Sequence, residues 1–94
     1  MKILALEKSI SNTAADDFKP HLKAEAYRAW ELYQAGIIRE LYFDQNHNAV
    51  IIMECDDIHD ANGILQSLPL VKAGVITFEV IALNPYSGFS RLFS

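Results

Sequence analysis

Ile37-Ile38-Arg39-Glu40-Leu41-Tyr42-Phe43, Asp44-Gln45-Asn46-His47-Asn48 and Ala49-Val50-Ile51-Ile52-Met53-Glu54-Cys55 form the stretch on which the fold turns. Its two outer runs are rich in branched and aromatic residues, which suit a pleated, half-buried surface. The five residues between them are turn formers. The stretch therefore reads as a β-hairpin, and everything on either side of it reads as one strand and one helix.

Upstream, Gly36 supplies the residue type best suited to a left-handed helix end. The helix it closes begins between Ala14 and Phe18 and runs through Ala35. Pro20 is tolerable only in a first turn, which favours Asp16 or Asp17 as the cap. At about 100° per residue, Phe18, Leu22, Ala26, Ala29, Leu32 and Tyr33 make one apolar stripe. Glu25 falls inside that stripe, while Tyr27 and Trp30 fall outside it. Before the helix, Ser9-Ile10-Ser11-Asn12-Thr13 supplies a turn, and Lys2 to Lys8 is a short apolar run with charged ends that reads as a buried strand.

Downstream, Asp56 or Asp57 caps a second helix in which Ile58, Ala61, Leu65 and Leu68 share a face, and Pro69 ends it. Gly74 precedes a last strand, Val75 to Leu83. Asn84-Pro85-Tyr86-Ser87-Gly88 breaks that strand and opens a C-terminal tail, 84–94, that carries Phe89, Leu92 and Phe93. The order β, α, β, β, α, β is that of the split βαβ, or ferredoxin-like, layout. The chain is thus an α+β protein, a single domain spanning 1–94, with a four-stranded antiparallel sheet and two helices on one face.

Ninety-four residues bury a thin core, so association is a natural way to bury more. Hydrophobic residues make up 51% of the chain against 21% charged, a surplus that points to a subunit interface or an apolar pocket. Net charge is −4, with eight Lys and Arg scattered among twelve acids, which excludes nucleic acid as the principal partner. The single cysteine, Cys55, cannot form an internal disulfide, and no CxxC pair is available for zinc. No stretch approaches the roughly 20 apolar residues of a membrane span. The expectation is a cytoplasmic protein with no membrane partner.

Strand alternation assigns two faces. Leu4, Leu6, Leu41, Phe43, Ile51, Met53, Ile76, Phe78 and Val80 form one, suited to the helices. Ile3, Ala5, Glu7, Ile38, Glu40, Tyr42, Val50, Ile52, Glu54, Thr77, Glu79 and Ile81 form the other. That second face is apolar with isolated carboxylates, which fits a sheet stacked against a second copy with a pocket inside. A homodimer follows, and the tail with Tyr27 and Trp30 points to a higher oligomer.

Lys23-Ala24-Glu25, Gly36, the hairpin, Leu68-Pro69-Leu70 and Leu83-Asn84-Pro85 together resemble the muconolactone isomerase family, over roughly residues 16–86. The resemblance implies the dimeric α/β barrel, two sheets facing across a two-fold axis. It also implies a cofactor-free isomerase that moves a proton on an unsaturated lactone. The chain departs from the pattern at Ala26, where a second acid is expected, and at Asn84, where the family carries the His of a His-Pro. Strand positions Ile38, Glu40 and Tyr42 also differ from the aromatic and histidine-rich pattern.

Four residues are candidates for chemistry. Glu40 and Tyr42 face the same way on one strand, and a carboxylate in an apolar cavity, its pKa raised, can shuttle protons beside a phenol. Glu25 inside the apolar stripe needs either a catalytic reason or a backbone hydrogen-bond partner, because burying an unpaired carboxylate is costly. Glu54, like Glu79, is the other candidate for a second member of an acid–base pair, against the plainer reading of rim salt bridges. His21, His47 and His59 make no ligand set by spacing. In the related YciI-type barrels a His–Asp pair is the suspected active element, which His21 with Asp16 or Asp17 imitates weakly. Cys55 reads as packing, its neighbouring acids disfavouring a thiolate. Two functions follow. One is cofactor-independent proton transfer on a small carbonyl or lactone compound, with Glu40 as base. The other is a non-catalytic small-ligand-binding or assembly module of the same fold.

Overall fold

A computed structural model describes residues 1–10 and 14–94. The turn expected around Ser11, Asn12 and Thr13 lies outside the described residues. Strands β1 (Lys2–Ser9), β2 (Ile38–Phe43), β3 (Ala49–Glu54) and β4 (Ile76–Leu83) form one antiparallel sheet in the order β2-β3-β1-β4. Helices α1 (Ala15–Phe18), α2 (Leu22–Gln34), α3 (Ile58–Leu65) and α4 (Pro69–Lys72) complete the α+β, ferredoxin-like layout. Both long helices pack on one face. Leu32 of α2 and Ala61 and Leu65 of α3 meet Ile3, Ala5, Ile51 and Met53 of the sheet in a continuous buried cluster.

The first helix is broken where one continuous helix was expected. Lys19–His21 is a 3₁₀ turn between α1 and α2. Pro20 is the cause: it donates no N–H, and its ring collides with the carbonyl four residues back in an α-helix. Asp17 does serve the helix start, but from inside it, accepting the Ala14 N–H at 2.7 Å. Gly36 takes φ +79° and ends the segment as expected. At the other helix, Asp57 is the cap, its Oδ1 accepting the Asp60 N–H at 2.7 Å. The helix α3 ends at Leu65, before the Pro69 expected to stop it, and leaves Leu68 outside; Pro69 instead starts α4, where its missing N–H is one of those a helix start leaves unbonded in any case.

Register corrects the assignment of strand faces. Ile3 pairs with Met53 and Ala5 with Ile51, so Ile3, Ala5 and Glu7 lie on the helix side and Leu4 and Leu6 on the open side. The reason is that Ile3-Leu4-Ala5-Leu6 is apolar on both faces, and an unbroken apolar run carries no alternation to read. On β2 the register shifts between Ile38 and Glu40, a bulge that puts buried Ile38 on the helix side together with Leu41 and Phe43. A bulge adds one residue and reverses the alternation beyond it. Glu40 and Tyr42 stay on the open face, opposite Ile52 and Val50.

The open face has half-buried Leu4, Leu6, Val50 and Ile52 at its centre and Lys8, Glu79, Glu40 and Glu54 around them. The tail leaves the body altogether. It forms a 3₁₀ stretch, Gly88–Phe93, with Tyr86 71% and Phe93 86% exposed. The chain measures 57 × 27 × 21 Å, and its radius of gyration of 15.4 Å exceeds the roughly 12 Å of a compact chain this long.

Candidate functional site

The apolar stripe of α2 does not close onto the sheet. Between them lies a cavity of about 600 Å³, within the size range of small-molecule sites. Ile38, Ile51, Ala49 and Phe78 form its floor on the sheet, and Phe18, Leu22, Ala26 and Ala29 its roof. Leu68 and Leu70 close one end, so the Leu-Pro-Leu segment is a wall of the cavity. Trp30, Tyr33, Leu41 and Phe43, all more than two-fifths exposed, border its mouth. Trp30 and Tyr33 stack with ring centroids 6.0 Å apart, and His47 lies flat on Phe43 at 4.0 Å.

Two carboxylates reach this apolar space: Glu25 from the roof and Glu7 from the sheet. Each is anchored by one oxygen. Glu25 Oε1 accepts the Leu70 N–H at 2.9 Å, and Glu7 Oε1 accepts the Ala49 N–H at 3.0 Å. Leu70 lies in the first turn of α4, where an N–H lacks a helical partner. Glu25 therefore has the backbone partner that its position in the stripe demanded. Burial pushes the Glu25 carboxyl above its ordinary range. The Leu70 hydrogen bond opposes this, Glu7 adds to it, and His21 opposes it. A carboxyl whose pKa is raised in this way holds its proton to higher pH than a solvated one and is suited to proton transfer.

The other sequence candidates lie elsewhere. Glu40 does not border the cavity: on the open face its Oε1 accepts the Tyr42 hydroxyl at 2.6 Å, and this bond raises the Tyr42 pKa. Tyr42 reaches the cavity edge as well. Glu54 sits at the Lys2 end of β1, away from Glu7, and pairs with the Met1 amine at 3.0 Å, which lowers its pKa. Glu79 pairs with Lys8 at 3.5 Å. Asp16 pairs with Lys19, and Asp17 accepts the Ala14 N–H. Cys55 is buried, and burial raises its thiol pKa ahead of the Asp60 charge. Among the described residues no three His, Cys, Asp or Glu side chains converge as metal ligands, and no helix is long and apolar enough to cross a membrane.

Sequence reasoning missed Glu7, read Trp30 as an oligomer contact and read His47 as exposed surface, whereas all three line the cavity. Trp30 was legible: it follows Ala26 by four residues and precedes Tyr33 by three, a spacing that puts all three on one side of a helix. Glu7 was not, because its face depends on the register of an unpatterned strand.

No protein-family model and no curated protein matches the chain. Two solved structures superpose on nearly all of it. One is the muconolactone isomerase crystal structure, at TM-score 0.73 and 17% identity over 93% of this chain and 92% of that one. The chain has the fold of muconolactone isomerase. The other is 5-chloro-2-hydroxyhydroquinone dehydrochlorinase from Burkholderia phenoliruptrix AC1100, solved with 2,5-dihydroxybenzoquinone. It matches at TM-score 0.72 and 15% identity over 94% of this chain and 98% of that one. The muconolactone isomerase layout expected from the Leu-Pro-Leu and Asn-Pro segments is thus present in three dimensions, at an identity that carries the fold and leaves the reaction to the site.

Proposed function

We propose that this protein is a cofactor-independent enzyme that moves a proton on a small, partly apolar carbonyl or lactone compound held between α2 and the sheet. The observation that carries the reading is Glu25: a half-buried carboxyl in an apolar cavity, its position fixed by the Leu70 N–H and its pKa raised. Glu25 is the acid–base group, and Glu7, anchored at Ala49, is the second member of the pair. Two carboxyls in unequal surroundings divide the roles of acid and base between them. Glu40 and Tyr42 belong to the open face, where they border a subunit contact. Two solved structures of the same fold, an isomerase and a dehydrochlorinase, support an enzymatic role.

The assembly is a homodimer that buries the Leu4, Leu6, Val50 and Ile52 face, with the exposed tail available for further association. A non-catalytic ligand-binding module remains the second reading. It is favoured by one fact, that the Leu70 hydrogen bond already gives Glu25 a structural reason to be where it is.

The experiment is proton NMR in D₂O with a panel of enol-lactones and cyclic enones. Deuterium entering at the acidic carbon in the native protein and not in Glu25→Gln supports the enzyme. No exchange above buffer across the panel, with binding retained, gives the binding module.

A further inference from the structure

The charges of the cavity carry an inference about what it holds, one that rests on this cavity being the ligand site. Among the described residues its lining includes two carboxylates, Glu7 and Glu25, one imidazole, His47 at the mouth, and no Lys or Arg. The backbone donors at those points are already committed, Ala49 N–H to Glu7 and Leu70 N–H to Glu25. The Tyr42 hydroxyl, at the edge, donates to Glu40. An anionic group entering this space would lose its hydration, find no fixed cation and approach two acids, and like charges set together in an interface are strongly unfavourable.

The apolar surface is aromatic in large part: Phe18, Trp30, Tyr33, Phe43 and Phe78. Flat walls of this kind favour a ring by offset or edge-to-face packing. The carboxylates, which line the cavity while a backbone N–H holds each in place, would accept hydrogen bonds from hydroxyl groups on such a ring. We propose that the cavity selects an uncharged ring bearing hydroxyl or carbonyl oxygens and rejects the same ring carrying a carboxylate. Glu7 and Glu25 are the residues that set this selectivity.

A matched set of three probes tests it: 4-hydroxybenzyl alcohol, 4-hydroxybenzoate and 4-hydroxybenzylamine, equal in size and differing in charge. The chain has a single tryptophan, Trp30, so its indole N–H gives one resonance that reports from the cavity mouth. The titrations use the intact native protein at pH 8. The expected result is that the alcohol shifts the Trp30 resonance and binds about tenfold or more tighter than the benzoate by calorimetry. In Glu7→Gln and Glu25→Gln the benzoate gains affinity and the gap narrows.

Benzoate binding as well as or better than the alcohol overturns the proposal and leaves the ligand cavity standing. The amine binding tightest overturns it in favour of a site for organic cations. If none of the three moves the Trp30 resonance at millimolar concentration, both this inference and the ligand-site reading fall. Selective binding of the alcohol with no deuterium exchange on any lactone supports the inference while the proposed reaction fails.

Discussion

Glu25 carries two duties in the proposed reading, a backbone anchor and an acid–base group, and they are separable by substitution. Glu25→Gln keeps an oxygen to accept from Leu70, so the fold is retained while the titrating proton is lost. Glu25→Ala strands a part-buried N–H and is expected to cost about 1–3 kcal/mol in denaturant unfolding. The raised carboxyl also sets a pH dependence. Its folded pKa lies above the ordinary 4.5, so its contribution to stability is full below 4.5 and is lost as pH rises through the raised value. Comparing unfolding midpoints across that window, the native protein should lose stability relative to Glu25→Gln as pH increases. An unchanged difference between the two would contradict the desolvated carboxyl. At this scale the sequence was partly legible. Glu25 stood out as an acid inside an apolar stripe. Glu7 looked like an ordinary charged strand end, and Glu40, equally conspicuous, turned out to face away from the cavity.

Among the elements, helices were readable because their signals are local. Gly36 at positive φ, Asp57 at the cap and Pro69 at the boundary each act within a turn of their own position. Asp57→Ala should therefore cost about 1 kcal/mol, measured by the unfolding midpoint, with no effect on ligand binding. Strand faces were less readable, because β1 is apolar on both sides and the bulge between Ile38 and Glu40 is invisible before pairing is known. Met53, fully buried where sheet and helices meet, tests the core directly. Met53→Ala should lose about 2–5 kcal/mol, a large share of the roughly 5–15 kcal/mol available to a small domain. A loss under about 1 kcal/mol would mean that the core is elsewhere.

At the scale of the whole molecule, two apolar surfaces are left without cover, the open sheet face and the tail. Composition announced both, since the hydrophobic share exceeded what a thin core could absorb. Position within the chain separated tail from sheet, but the geometry of assembly lay beyond any single strand's pattern. Leu6→Lys, a charge placed in the centre of the open face, should convert the proposed dimer to a monomer in sedimentation without unfolding it, and an unchanged mass would remove that face as the interface. The two faces of the sheet also separate the candidate carboxylates, with Glu25 and Glu7 on the helix side and Glu40 on the other. The most direct test is to measure deuterium incorporation into one exchanging enol-lactone or enone by native protein, Glu25→Gln and Glu40→Gln side by side. Glu25→Gln should be slower by about a hundredfold or more, the usual worth of a general acid–base group, with Glu40→Gln within a few-fold of native. The reverse pattern, with Glu40 essential and Glu25 dispensable, would contradict a site between helix and sheet and move the chemistry to the open face.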